Sequence, residues 1–360
     1  MLRLEEVSLS LGAFRLKDIS MNVKQGEYLV VLGLTGAGKT VLLETVAGLN
    51  RPDQGKIFLK GQDVTSLPPE ARHMGIVYQD YALFPHLTVY GNISFGLRLT
   101  GESGKSVRRI VEDTAGYLGI GHLLNRRPRH LSGGECQRVA LARVLALKTH
   151  MLLLDEPLSA LDCATKDRLR RELKRIHLEI GITILHITHD LSEAFYLADR
   201  LVVMQDGSII QEGLPEDILK RPANRFVAEL IGITNFIPGR AGEGGRIYLE
   251  DLGDADPSLL SMEPVDKLDE FFLTVPAGSV LLMPHETAGL CLWKGMMRIV
   301  NLNHTAEYTE VELEYKQGKY LRTSLSLREL SSLPVNLDVD MELEVGLLGD
   351  KLHCIPRDEE

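Results

Sequence analysis

Eight residues, Gly33-Leu34-Thr35-Gly36-Ala37-Gly38-Lys39-Thr40, constrain this chain more than any others. They fit G-x-x-x-x-G-K-[ST]. The apolar run Tyr28-Leu29-Val30-Val31-Leu32 precedes them and a helical pattern over 39–49 follows. A glycine-rich turn between a buried strand and a helix lets backbone N–H groups curl round phosphate oxygens. The helix start adds the positive end of its dipole. The reading puts Lys39 on the β- and γ-phosphates of a nucleotide and Thr40 on Mg²⁺, with Val41 next to them in the first helical turn.

The surrounding pattern agrees with a mostly parallel α/β sheet. Met151-Leu152-Leu153-Leu154 and Ile182-Thr183-Ile184-Leu185-His186-Ile187 read as buried strands. Helices are expected over 39–49, stopping at Gly48, over 134–148, and over 165–180, stopping at Gly181. Leu169, Leu173, Ile176 and Ile180 make the apolar stripe of the last. The strand 151–154 runs into Asp155-Glu156-Pro157, and two carboxylates at a strand tip are costly unless they have work there. Asp155 reads as a Mg²⁺ ligand and Glu156 as the group that activates water for attack on the γ-phosphate. Ser132 and Glu135, in Leu131-Ser132-Gly133-Gly134-Glu135, have capping-box spacing, which by itself says only that a helix starts there.

After residue 235 the period changes from helical to two. Glu310-Val311-Glu312-Leu313-Glu314-Tyr315, a turn at Gly318, the return from Tyr320 to Leu325, and Met341-Glu342-Leu343-Glu344-Val345 read as half-buried antiparallel strands of a small β-barrel. The two stretches 236–290 and 295–356 are a weak candidate repeat, and 243–256 reads as loop. Charge divides at the same place. Residues 236–360 hold 23 Asp and Glu against 11 Lys and Arg, while the rest hold 27 against 29. The expected domains are 1–235 and 236–360. No basic arm or domain suits nucleic acid, and the basic helix bearing Lys166, Arg168, Arg170, Arg171, Lys174 and Arg175 reads as a solvated face. Four scattered cysteines without CxxC suggest neither disulfides nor zinc, and a reducing setting fits. The charged start MLRLEEVSLS and the lack of any apolar run near bilayer length predict a soluble chain that meets membranes only through partners.

In combination, these motifs resemble the ATPase subunits of ABC transporters. The family's elements occur in order: GLTGAGKT, Gln79 in VYQDYALFPH, LSGGE, LLLLDEP, Ser159-Ala160-Leu161-Asp162, and His189 in ITHD. The resemblance covers about the first 230 residues. It implies a helical subdomain near 80–145 and an OB- or MOP-like C-terminal barrel. Gln79 would touch Mg²⁺ and water. Ser132, Gly133 and Gly134 would complete the γ-phosphate site of an opposite subunit, Asp162 would couple the two sites, and His189 would contact the γ-phosphate. His186, inside its strand, reads as a core histidine. The implied assembly is a head-to-tail homodimer with two ATP molecules between the chains. It is peripheral at the cytoplasmic face of the membrane through two permease subunits, which a solute-binding protein serves. Two departures stand out. Glu135 replaces the usual Gln, and Leu11 falls near the place of the adenine-stacking aromatic, so Phe14, three residues on, is the expected stacker.

The 39–132 interval is too short for the coiled-coil insertion of DNA-repair relatives, and no second cassette of the translation-factor kind is present. The segment EGLPEDILKRPANRFVAELIG resembles the end of the ATPase domain in importers. Ala37, Glu135 and LHITHD make molybdate/tungstate importers the nearest likeness, with sulfate, polyamine, sugar or iron as alternatives. Thr323, Ser324, Ser326 and Arg328 offer hydroxyls and a guanidinium for a regulatory oxyanion. A polar strand face is the plainer reading, and it is preferred.

Overall fold

The computed structural model describes residues 1–159, 161–242, 246–255, 270–283 and 290–357. The chain divides into two compact units, Met1–Pro215 and Glu216–Glu360. Among the described residues no helix is long and apolar enough to cross a membrane.

The first unit runs β1 (Leu2–Leu11), β2 (Phe14–Val23), β3 (Tyr28–Leu32), α1 (Lys39–Ala47), β4 (Gln54–Leu59), β5 (Gln62–Asp63), β6 (Met74–Val77), α2 (Val89–Leu99), α3 (Gly104–Tyr117), α4 (Gly133–Leu145), β7 (Met151–Asp155), α5 (Cys163–Ile180), β8 (Thr183–Thr188), α6 (Leu191–Leu197), β9 (Arg200–Gln205) and β10 (Ser208–Gly213). A four-stranded antiparallel sheet has the order β2-β1-β4-β5, and a six-stranded sheet the order β10-β9-β3-β8-β7-β6. In the second sheet β9, β3, β8, β7 and β6 are parallel, and every residue of β3, β7 and β8 is buried. Strands covered on both faces need an unbroken apolar run, which is why these three are legible as such. Helices α2, α3 and α4 pack on one another as a small helical group.

Register decides where chemistry collects. Leu32 pairs with Thr188, and Asp155 with Ile187. The residues that follow, Gly33, Glu156 and His189, therefore leave the carboxyl edge of the sheet side by side, the place where open α/β sheets bind ligands.

The helices keep their expected caps with small shifts. α1 ends at Ala47, and Gly48 takes the left-handed conformation at φ 90°. α4 begins at Gly133 and ends three residues before Lys148. In α5, Leu169, Leu173 and Ile176 are buried, whereas Ile180 is 49% exposed, because it stands in the last turn just before Gly181 redirects the chain into β8. The basic face of α5 is engaged rather than merely solvated. Lys174 donates to Leu197 O, and the guanidinium groups of Arg170 and Arg175 lie over Tyr196 and Tyr117.

The second unit carries α7 (Pro215–Lys220), which opens at the boundary, α8 (Arg225–Leu230), β11 (Asn235–Ala241), β12 (Ile247–Leu249), β13 (Gly253–Ala255), β14 (Glu270–Val275), β15 (Val280–Leu282), β16 (Cys291–His304), β17 (Tyr308–Lys316), β18 (Lys319–Ser326), α9 (Leu327–Ser332), β19 (Glu342–Leu348) and β20 (His353–Pro356). Two five-stranded antiparallel sheets, β13-β12-β11-β14-β20 and β15-β19-β16-β17-β18, share one apolar core and curl into a half-barrel. Residues 216–235 lie on this side of the division, where Ala228 and Ile233 pack with Phe236, Phe272 and Ile355. The stretch 243–256 is not simply loop. Ile247 and Leu249 alternate with Tyr248 and bury one face, so β12 and β13 pair as a hairpin. Residues 243–245 and 256 of that stretch, and parts of the candidate repeat, lie outside the described residues.

Candidate active site

The turn after β3 is shaped by two left-handed glycines, Gly36 at φ 88° and Gly38 at φ 96°. Gly38 caps α1 with no side-chain acceptor, so the first amides of that helix are left without intrahelical partners. A Cβ at Gly33 would stand 2.5 Å from Met204 O, and one at Gly38 would stand 2.2 Å from the Phe14 ring. Backbone forbids a side chain at Gly33, and the left-handed φ strains one at Gly38. Ala37 is buried in the core behind the turn and Leu34 is exposed. Lys39 is 5% exposed and donates from Nζ to Gly33 O (2.8 Å) and Leu34 O (3.0 Å). Burial pulls its pKa down, and the neighbouring Glu156 and Asp155 only partly restore it.

Opposite the turn stand the strand-end carboxylates. Thr40 Oγ1 donates to Asp155 Oδ1 at 3.2 Å. Burial pushes the Asp155 carboxyl up, against the Thr40 hydrogen bond. A hydroxyl beside a buried carboxylate, all oxygen, is the donor set of a hard cation. Among the described residues no group of three His, Cys, Asp or Glu could hold a metal ion by itself, so a cation there would be completed by phosphate, water or the Gln79 side chain, which lines the same cavity as Thr40. Glu156 sits at φ 42°, a conformation that a non-glycine residue holds at a cost and that concentrates at functional sites. Its Oε1 faces Lys39 Nζ at 3.8 Å and its Oε2 faces His189 Nδ1 at 2.9 Å.

Phe14, Thr35, Gly36, Gly38, Lys39, Thr40, Val41, Gln79, Glu156 and His189 line one cavity of about 550 Å³. Ten residues from five parts of the chain are thus brought together. Ser132, Gly133, Gly134, Glu135 and Asp162 do not line it. Ser132 and Glu135 form the complete capping box of α4, and Asp162 caps α5 by accepting from Thr165 N. Ala160 lies outside the described residues. Leu11 is exposed and does not line the cavity.

In the second unit, Thr323 and Ser324 line one cavity of about 580 Å³, but Ser326 and Arg328 do not. Thr323 is turned inward and donates to Ala277 O and Val280 O, while Ser324 is on the opposite, exposed face of β18. Ser326 caps α9 and its hydroxyl donates to Glu329.

Residues not singled out from the sequence hold the site from behind. Thr188 Oγ1 donates to the buried Glu193 carboxylate (2.9 Å) and accepts from Asp190 N (3.0 Å), while Asp190 accepts from Glu193 N. The two neighbours of His189 are thereby tied into one ring. His186, fully buried, places Nε2 3.5 Å from Glu193 and Nδ1 3.0 Å from the Tyr28 hydroxyl. The capping signal at Asp190 was readable; a buried carboxylate at Glu193 was not.

Residues 16–159 match the model of the family described as ABC transporter. The chain is 48% identical over 247 residues to the molybdate/tungstate import ATP-binding protein WtpC of Pyrococcus horikoshii, spanning 69% of this chain and 71% of that protein. It is 45% identical over 264 residues to the sulfate/thiosulfate import ATP-binding protein CysA 2 of Chromobacterium violaceum, spanning 71% and 72%. The ATP-binding cassette MJ0796, solved as a dimer in a post-hydrolysis state with ADP and Pi, superposes with a TM-score of 0.54 at 29% identity, covering 60% of this chain and 99% of that one.

Proposed function

The chain belongs to the ATP-binding import proteins of the ABC transporter family, and from that membership we propose that the solute it moves is an oxyanion, molybdate or tungstate. It is an ATPase that powers import. The observation that carries the catalytic reading is the two-sided hold on Glu156, between Lys39 and His189 at the mouth of the phosphate turn.

The proposed chemistry is in-line attack of water on the γ-phosphate. Lys39 and the first amides of α1 neutralise the phosphates. Glu156 orients the water and accepts its proton. His189 moves from Glu156 to the γ-phosphate when nucleotide is bound. Phe14 stacks on adenine, and Gln79, which lines the same cavity, would touch both water and metal. Thr40 and Asp155 would hold Mg²⁺, which supplies positive charge to the β- and γ-oxygens. Each site is completed by Ser132, Gly133, Gly134 and Glu135 of a second copy, with Asp162 linking the two sites. The proposed ATPase part is 1–235, of which 216–235 pack with the second compact unit, with its helical part near 80–145, and 236–360 is the proposed regulatory part. The dimer sits on the cytoplasmic face of the membrane through two permease subunits, and a solute-binding protein delivers the cargo.

The solute rests on the similarity to the molybdate/tungstate import protein. The second readings are sulfate, polyamine and iron, since import proteins named for each are 45–47% identical to this chain. The test is the assembled transporter in vesicles, with ATPase rate read against each oxyanion on its binding protein. Stimulation by molybdate or tungstate and not by sulfate is expected; the reverse pattern removes the first reading. Feedback by the transported oxyanion belongs to the same proposal. Titrating the full chain with molybdate reads it directly, and no heat at millimolar concentration removes it.

A further inference from the structure

The chain leaves Gln79 through an unusual turn. Tyr81 and Ala82 both occupy the left-handed region, at φ 63° and 41°, although neither is glycine. Such a pair persists only where its surroundings over-determine it. The carbonyls of these same two residues are the ones that Arg143 grips. Its Nη2 donates to Tyr81 O at 3.0 Å and its Nη1 to Ala82 O at 2.6 Å. The guanidinium also lies 5.7 Å from the centroid of Phe84. Among the described residues no carboxylate lies within 4.0 Å of it, so its fork is committed to the turn. Arg143 belongs to the last turn of α4.

The other end of α4 meets the same turn. The Tyr81 ring is buried, and its hydroxyl lies 3.9 Å from where a Cβ on Gly133 would stand. That hydroxyl is buried with no hydrogen-bond partner. A buried orphan hydroxyl is unfavourable, and it gains by any rearrangement that offers an acceptor.

We propose that Tyr81 and Arg143 fasten the exit of the Gln79 loop to α4, so that Gln79 in one half-site and Ser132, Gly133 and Gly134 in the other move as one body. Both are positioning residues, and the inference rests on the shared-site reading above. A nucleotide met by Gln79 in the chain's own cavity is thereby felt at the surface the chain offers to the second copy. The Tyr81 hydroxyl finds its partner in the closed dimer, which makes the nucleotide-free turn the strained member of the pair.

The experiment uses the full chain in the E156Q background, with the ATP concentration at half-maximal dimer read by sedimentation and the affinity of the single chain read with a fluorescent ATP analogue. E156Q is expected to dimerise on ATP. E156Q/R143A is expected to need about tenfold more ATP, or to stay monomeric, with analogue affinity within about twofold. E156Q/Y81F guards against an R143A chain that does not fold. It is expected to melt higher without nucleotide and yet need about threefold more ATP to dimerise, an opposition that a purely structural role does not produce. Double variants that dimerise at the ATP concentration of E156Q, with Y81F leaving the melt unchanged, overturn the proposal. If E156Q itself stays monomeric, the shared-site reading has failed and the proposal falls with it.

Discussion

His189 Nδ1 and Glu156 Oε2 meet at 2.9 Å across the carboxyl edge of β8 and β7. The same carboxylate faces Lys39 through its other oxygen. Removing its charge while keeping its shape separates chemistry from binding. Glu156→Gln is expected to lower kcat by about 10²–10⁴-fold, the range for a lost general base. The affinity for ATP should stay within a few-fold, because Gln retains both contacts. Steady-state hydrolysis together with equilibrium nucleotide binding checks this. A variant that turns over like the parent removes Glu156 from the role.

Asp155 gives a pH dependence with a definite sign. Its folded-state pKa is raised by burial. A carboxyl that holds its proton more tightly in the folded state costs stability as pH rises from the ordinary carboxylate range through the raised value. Asp155→Asn carries no such cost. The nucleotide-free variant, in chelator, is expected to melt about 2–4 °C higher than the parent at pH 7. The gap should shrink as pH falls through the raised value and vanish below about 4. Turnover should be lost, since the carboxylate is the proposed metal ligand. A melt at or below that of the parent at pH 7 contradicts the burial argument.

Phe14 packs on Gly38 and lines the cavity, so its proposed stacking on adenine is tested apart from its support of the turn. Ligands tell them apart. Base–aromatic stacking is worth roughly 1–3 kcal/mol. Phe14→Ala should therefore weaken ATP by about 5- to 150-fold and leave inorganic tripolyphosphate unchanged in competition. Phe14→Tyr should bind ATP like the parent. Equal losses for ATP and tripolyphosphate make Phe14 a support of the phosphate turn and nothing more.

What could be read in the sequence was what repeats a local rule. β3, β7 and β8 are runs that only a doubly covered strand requires, and the glycines of the phosphate turn announce their own backbone. Phe14, Gln79, Glu156 and His189 could be placed because each follows a recognisable stretch, and they meet in one cavity. The supports were invisible for a common reason. Glu193, Arg143 and Arg72 are charged side chains in amphipathic or loop segments, and burial of such groups depends on neighbours distant in sequence. β12 and β13 were hidden by glycines and acids around only three buried apolar positions, Ile247, Leu249 and Ala255.

Arg72 is the largest such support. It is 1% exposed and forms no ion pair among the described residues; instead it donates to Leu67 O (3.0 Å), Thr45 O (2.9 Å), Val46 O (2.8 Å) and Thr65 O (3.1 Å). Thr45 and Val46 lie in the last turn of α1, the helix whose first turn faces the phosphate cavity. Arg72→Ala strands the Val46, Thr65 and Leu67 carbonyls, while Thr45 O keeps the Gly48 N–H, and opens a void, at a cost of about 3–5 kcal/mol. Thermal melting should fall by about 10 °C. Arg72→Lys, with one donor head for several acceptors, should fall between. The effect on nucleotide is a separate question with a separate answer. A charge at a helix terminus acts mostly within its own turn, and Arg72 is at the opposite end of α1 from the phosphates. Below its melting temperature, Arg72→Ala should bind ATP within about threefold of the parent. A tenfold loss of affinity in a folded variant shows instead that the cation at one end of α1 tunes the phosphate site at the other.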